Sequence, residues 1–108
     1  MSFQLPPEIT KHLPHGYQSS SGAWFVLPEV DTEKQDGIAK VNAWLTIESW
    51  YPKSLADVVW FGDDRTGNFF GWRPSLGIAI LWNPEDGDEP WKQGSVEELW
   101  EFVRNGYQ

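Results

Sequence analysis

One segment constrains the fold of this chain more than any other, residues 60–72, which read WFGDDRTGNFFGW. Aromatic residues stand on both sides of a short polar centre with aspartates and glycines, a pattern typical of two strands joined by a tight acidic turn. We expect Asp63 or Asp64 to accept backbone N–H bonds in this turn, and Gly62 and Gly67 to take positive φ. The segment therefore predicts an antiparallel hairpin, and it favours a binding role over a reaction.

The rest of the chain carries further strand patterns. An apolar run ends at Pro28, and residues 76–82 are apolar on both faces, which is typical of an internal strand covered by a helix on at least one side. Residues 38–50 alternate with period two, which predicts a half-buried strand. One face of that strand holds Val41, Ala43, Leu45 and Ile47, and the other holds Lys40, Asn42, Thr46 and Glu48. Strands are thus predicted at residues 23–27, 38–50, 56–61, 68–72 and 76–82.

Two helices are predicted, one towards each end of the chain. Residues 95–98 read SVEE, a capping box, and apolar residues follow at helical spacing. A short helix is predicted within residues 5–13, closed by Pro14. Helices at the ends and strands between them predict an α+β fold, with a central, mostly antiparallel sheet of four to six strands packed by a C-terminal helix and a short N-terminal helix. The length predicts a single domain over residues 1–108.

The chain holds eight tryptophans, a large number for its length. Large aromatic side chains fill protein cores, and they also dominate interfaces between proteins. Core positions are predicted for Trp44, Trp60, Trp82 and Trp100. We expect one or two of the remaining four to face solvent or a partner, and these are Trp24, Trp50, Trp72 and Trp91.

The charge balance is strongly acidic, with 8 basic and 16 acidic side chains and a net charge of -8. Such a chain is repelled by nucleic-acid phosphates and by anionic membranes, so neither is expected as a partner, whereas a basic protein is attracted. An alternative is that the acidity only keeps an aromatic-rich domain soluble. The sequence has no cysteine, which excludes a thiolate metal site and cysteine nucleophilic catalysis.

The start of the sequence and its hydropathy bear on location. Residues 1–7 have neither the basic nor the apolar region of a secretory signal. No stretch approaches the roughly 20 apolar residues that span a bilayer. These features predict a cytoplasmic protein.

Three motifs, in this order, resemble the SUKH superfamily, which includes fungal cell-wall assembly regulators and bacterial immunity proteins that neutralise polymorphic toxins. They lie at residues 60–70, 80–87 and 95–103, within about half of the chain. The first half of the chain resembles the family less, and Arg65 stands where a small residue is common. The resemblance implies a non-enzymatic protein-binding domain, an immunity protein whose partner is a basic toxin domain such as a nuclease.

The residues predicted to bind the partner lie around the two acidic segments. Clustered carboxylates in residues 85–89 stand beside Trp91, which combines steering charge with an aromatic contact. No catalytic or cofactor residue is predicted, since the segment has no nucleophile–base pair and no phosphate-cradling loop. No metal site is predicted, since adjacent strand residues such as Asp63 and Asp64 point to opposite faces. His12 and His15 are interpreted as surface residues. The candidate partner-binding residues are Asp63, Asp64, Arg65, Trp72, Glu85, Asp86, Asp88, Glu89 and Trp91.

Two other functions fit the same residues. One is a regulatory or scaffolding interaction module without a toxin partner, which would be an acidic binder as well. The other is a small carbohydrate-active hydrolase with a carboxylate pair lined by tryptophans, for which 108 residues leave little room for a deep cleft. The chain is expected to be a monomer or a homodimer, since apolar strands could leave an exposed sheet edge.

Overall fold

A computed structural model of the chain describes residues 4–108, in which an antiparallel sheet of six strands has the order β1-β2-β3-β4-β5-β6. Each strand therefore pairs with the next one along the chain. The predicted α+β class is confirmed, including the short N-terminal and the C-terminal helix. The strands are β1 (Tyr17–Gln18), β2 (Trp24–Val26), β3 (Val59–Asp63), β4 (Phe69–Arg73), β5 (Ile78–Trp82) and β6 (Lys92–Gly94), and the helices are α1 (Pro7–Thr10), α2 (Ile38–Thr46) and α3 (Val96–Arg104).

The sheet has a helical layer on each face. Helices α1 and α3 pack on one face, and α2 packs on the other. Strand β5 shows why both faces are apolar, because Ala79 and Leu81 contact the α3 side while Ile80 and Trp82 contact the α2 side. The prediction of an internal strand covered by helix is confirmed, and the cover is on both faces.

The prediction of a strand over residues 38–50 is wrong, because residues 38–46 form helix α2. Its buried residues follow the helical spacing i, i+3, i+4 and i+7. Val41 and Leu45 fit both a strand pattern and a helix pattern, so they do not separate the two. Asn42 does separate the two patterns, since a strand would place it on the polar, solvent-facing side, whereas it is only 8% exposed. The four buried residues are Ile38, Val41, Asn42 and Leu45.

The helix at residues 38–46 also changes the position of Trp44. This indole was predicted in the core and is 42% exposed, and its ring makes a T-shaped contact with Phe69 of β4 (6.1 Å between centroids). The other three predicted core tryptophans are buried, namely Trp60, Trp82 and Trp100. Trp50 and Trp91 face solvent, as expected for one or two of their group.

Strand ends differ from prediction where the sequence signal is weak. Strand β3 begins at Val59 and continues to Asp63, and a single 3-10 turn at Lys53–Leu55 precedes it. Strands β1 and β6 were not predicted, since each has at most three residues and no apolar alternation. Helix α3 begins as predicted with a capping box, in which Ser95 Oγ accepts the Glu98 N–H (3.1 Å) and Glu98 Oε1 accepts the Ser95 N–H (3.0 Å).

Candidate partner-binding site

The sheet topology brings the two acidic segments of the sequence to the same end of the sheet. Because successive strands reverse direction, the β3–β4 and β5–β6 connections both leave from one end. A hydrogen bond from Trp91 Nε1 to Asn68 Oδ1 (2.9 Å) joins the two connections. Residues 63–68 and 83–91 are called the acidic end from here on.

The carboxylate of Asp64 organises the β3–β4 turn. Asp64 is 5% exposed, and its Oδ1 accepts the backbone N–H groups of Thr66 (2.8 Å) and Asn68 (3.1 Å). Its Oδ2 accepts the Asn68 side-chain amide (2.8 Å) and the Tyr107 hydroxyl. The expectation that this aspartate accepts backbone bonds in the turn is confirmed. Asp64 therefore acts inside the turn, and its carboxylate is turned away from solvent.

The hydrogen bonds to Asp64 also set its acidity. Burial raises the pKa of this carboxyl, but the bonds from Tyr107, Thr66 and Asn68 outweigh burial, so the pKa lies below the ordinary aspartate value. Burial also raises the pKa of the Tyr107 hydroxyl, and its bond to the charged Asp64 raises it further. At neutral pH the pair is therefore a carboxylate that accepts a hydrogen bond from a neutral phenol.

Asp63, the neighbouring carboxylate, has a different environment. Its Oδ1 accepts the Arg65 N–H (2.7 Å), and burial raises its pKa above the ordinary value. Gly67 takes a positive φ of +100° as expected, whereas Gly62 does not and lies within β3. The second left-handed residue of the turn is Arg65, at φ +68°, and its side chain is exposed.

The four acidic residues of the β5–β6 connection point outward. The Asn83 side chain accepts the Glu85 N–H (2.9 Å), and Trp82 Nε1 donates to the Gly87 carbonyl (2.9 Å), so the loop backbone is fixed at two points. Within residues 4–108 none of these four carboxylates forms an ion pair. They present a concentrated negative charge to solvent at the acidic end, and they are Glu85, Asp86, Asp88 and Glu89.

Trp91 stands next to these carboxylates on an aromatic cluster. The indole is 42% exposed and packs on the rings of Tyr107 (5.9 Å between centroids) and Phe102 (5.5 Å). With its N–H bonded to Asn68, the exposed indole face has a fixed orientation. Sequence reasoning missed Asn68 and Tyr107 as parts of this site, since Tyr107 lies 43 residues from Asp64 and follows the end of α3.

An open groove lies beside the acidic end and follows helix α3. It has a volume of about 410 Å³ and runs between β6 and the outer side of the helix. Glu97, Glu98 and Glu101 line it on the helix side, and Phe102 links it to the aromatic cluster. Lys92 also lines the groove, which therefore combines glutamates with one basic side chain.

Trp72 is not part of this arrangement. It lies on β4 four residues after Asn68, which at the rise of a strand separates the two by about 13 Å. Its indole packs against the core beneath α3. Of the candidate residues, the structure brings together Asp63, Asp64, Arg65, Glu85, Asp86, Asp88, Glu89 and Trp91, and it leaves Trp72 apart.

Two further findings concern ligands and membranes. Within residues 4–108, no three His, Asp or Glu side chains come together in a way that could hold a metal ion. Among the helices of the same residues, none combines the length and the apolar character needed to cross a bilayer.

Comparison of the chain with protein-family models, with curated proteins and with solved structures gives no match.

Proposed function

We propose that this domain is a non-enzymatic binding protein that neutralises a basic toxin domain, such as a nuclease, through its acidic end. The observation that carries the proposal is the exposed carboxylate cluster of residues 85–89 beside the fixed indole of Trp91. The similarity of the sequence to SUKH immunity proteins supports the same function. The proposed location is cytoplasmic, where such a toxin would act.

Electrostatics and packing would contribute in different ways. Outward carboxylates without intramolecular ion pairs attract a basic surface over distance and mainly raise the association rate. A partly exposed aromatic side chain that is already ordered loses little conformational entropy on binding, and it mainly lowers the dissociation rate. Lys and Arg side chains of a basic partner could also lie on the aromatic faces of Trp91 and Tyr107.

The first experiment identifies the partner. The protein is used as bait in a lysate of its own cell, at low and at moderate salt, and the captured proteins are identified by mass spectrometry. We expect a stoichiometric basic protein with a toxin-type domain that is released by salt. Capture of a regulatory enzyme or a structural protein instead would favour the interaction module without a toxin partner.

The second experiment tests the acidic end with the identified partner. Lysine replaces Glu85, Asp86, Asp88 and Glu89 together, and the control replaces four exposed acidic residues elsewhere, namely Glu8, Glu29, Glu33 and Glu48. The two variants have the same net charge. We expect the first to slow association by about tenfold or more at low salt and the control to slow it much less. Equal slowing in both would show that net charge alone steers the partner.

Trp91 is tested through the dissociation rate. Trp91→Ala should accelerate dissociation by about tenfold or more, as for an interface residue that contributes strongly to binding. The matched control is Leu76→Ala, a 63% exposed residue in the β4–β5 connection at the opposite end of the sheet. An unchanged dissociation rate in Trp91→Ala would place the contact elsewhere.

A further inference from the structure

Asp63 stands in a row of side chains that crosses the acidic end of the sheet. The strand register places it opposite Trp24 of β2 on one side and opposite Phe69 of β4 on the other. Residues directly opposite one another in antiparallel strands project from the same face. Trp24 and Phe69 both pack against the core on the α2 side, so Asp63 projects from that face as well. The carboxylate therefore lies between two aromatic side chains, and these three residues are called the Asp63 row.

The spacing of the Asp63 row suits a flat organic cation. Neighbouring strands lie about 4.8 Å apart, so the strands that carry the two aromatic residues are about 10 Å apart. A cation bound over Asp63 would lie about 5 Å from each of these strands, and a cation is attracted to an aromatic face within about 6 Å of the ring centre. Trp44 of α2 adds a third ring, since its 42% exposed indole contacts Phe69 edge-on (6.1 Å between centroids). The row and Trp44 therefore combine one negative charge with three aromatic side chains.

The Asp63 carboxylate lacks a counter-ion. It is partly buried, and in the part of the chain from residue 4 to residue 108 it forms no ion pair. Burial raises its pKa and the charge of Asp64 raises it further, and the N–H bond and the charge of Arg65 do not offset these effects. Lys34 lines an open cavity of about 420 Å³ against Trp24, but it is not paired with Asp63. A desolvated carboxylate of this kind gains when a cation is placed beside it.

We propose that the Asp63 row binds one arginine side chain of the basic partner. A guanidinium group is planar, stacks on aromatic rings and donates to a carboxylate at the same time, so it fits this set of groups better than an ammonium group does. The inference rests on the proposed function for the source of the arginine. It also extends the interface, because the Asp63 row lies on the α2 face of the sheet, whereas Trp91 packs on Phe102 of α3 on the other face. The partner would then hold the acidic end from both faces.

Titration with butylguanidinium chloride tests the site without the partner. Nuclear magnetic resonance follows the indole N–H signals of Trp24 and Trp44 and the carboxyl carbon signal of Asp63. We expect all three signals to shift and to reach saturation. Butylurea, which has nearly the same shape but no charge, is the control at matched ionic strength and should give no saturable shift. The absence of a saturable shift with butylguanidinium, or equal shifts with butylurea, would overturn the proposal.

Two variants that each remove one negative charge separate the site from the net charge. Asp63→Asn should weaken butylguanidinium binding by about tenfold or more, because the guanidinium loses its charged acceptor. Asp36→Asn is the matched control and should change binding little, since Asp36 is also partly exposed and its carboxylate is already paired with Lys40 (3.3 Å). Circular dichroism confirms that both variants are folded. Equal weakening in the two variants would show that the cation responds to net charge alone, and this would overturn the proposal.

The same two variants, measured with the captured partner, test the occupant of the site. Asp63→Asn should accelerate dissociation of the partner by about tenfold, and Asp36→Asn should leave the dissociation rate nearly unchanged. If butylguanidinium binds but Asp63→Asn does not change partner dissociation, a partner arginine is excluded as the occupant, and the proposed function through residues 85–89 and Trp91 stands. If butylguanidinium binds and no basic toxin is captured, the proposed function fails and the guanidinium site remains.

Discussion

The side-chain amide of Asn42 in α2 takes the place of a neighbouring strand for Trp60 in β3. Asn42 Oδ1 accepts the Trp60 N–H (2.8 Å), and Asn42 Nδ2 donates to the Trp60 carbonyl (2.8 Å). Strand β2 pairs with β3 at Trp24 and Asp63, and Leu27, directly after β2, donates its N–H to the Phe61 carbonyl (2.7 Å). The amide therefore satisfies two buried peptide groups that β2 does not reach, and it fixes α2 against the sheet.

Replacement of Asn42 by Leu, which has a similar size, should destabilise the protein by about 2–4 kcal/mol, because it leaves the N–H and C=O groups of Trp60 buried and unpaired. The control is Gln93→Leu, which replaces an exposed side-chain amide in β6 and should change stability by about 0.5 kcal/mol or less. Urea unfolding measures both. A midpoint for Asn42→Leu equal to that of the control would show that these bonds contribute little.

The same residue explains why the sequence did not predict α2. Val41 and Leu45 are four apart, a spacing that a strand face and a helix face share, so the hydrophobic pattern alone is ambiguous. Asn42 looks like a surface residue in the sequence, and only the unpaired peptide groups of Trp60, 18 residues later, explain its burial. A non-local hydrogen bond of this kind has no signature in a single sequence. The prediction that Trp44 lies in the core was wrong for the same reason, because it depended on the predicted strand.

Local signals, by contrast, were predictive. The capping box at Ser95 and Glu98 and the alternation of β5 involve residues close in sequence, so their physics can be recognised without the fold. The acidic turn was predicted for the same reason. The contacts of that turn with Trp91 and Tyr107 could not be predicted, since they depend on strand order and on where the chain goes after α3.

The capping box gives a prediction of its own. Ser95→Ala removes the acceptor of the Glu98 N–H and should cost about 1 kcal/mol of stability. Ser54→Ala, at an exposed position outside the three helices, is the control and should be close to neutral. Thermal or urea unfolding distinguishes the two. Equal stability of the variants would show that water replaces the cap at no cost.

Gly62 in β3 is required by close packing rather than by an unusual backbone. A Cβ atom there would lie 2.7 Å from Phe70 Cδ2 and 2.8 Å from the Trp24 carbonyl oxygen, and a backbone atom cannot easily move away. Gly62→Ala should therefore destabilise the protein by about 1–3 kcal/mol, as overpacked core substitutions do. Gly94→Ala in β6 is the matched control, since its Cβ would meet atoms at ordinary contact distance. A tolerated Gly62→Ala would mean that β2 and β3 separate at little cost.

Asp63 and Asp64 are adjacent carboxylates that should have opposite effects on the pH dependence of stability. The pKa of Asp64 lies below that of an unfolded aspartate, so its stabilisation is complete above the unfolded value of about 3.9 and is lost as the pH falls through the lower folded pKa. The pKa of Asp63 is raised by burial, so its charged form destabilises the fold, and this effect is relieved as the pH falls through the raised folded pKa.

Substitution of each aspartate by Asn separates the two effects. At about pH 7, Asp64→Asn should lose about 1–3 kcal/mol, because the bonds from Tyr107 and the turn lose a charged acceptor. Asp63→Asn should be neutral or slightly stabilising. Urea unfolding from about pH 7 to about pH 3 should show the deficit of Asp64→Asn shrinking and any advantage of Asp63→Asn disappearing. Tyr107→Phe should reproduce part of the Asp64→Asn loss. Parallel pH curves for the two Asn variants and the unchanged protein would contradict the opposite roles of these neighbours, because neither removed carboxyl group would then contribute to the pH dependence of stability.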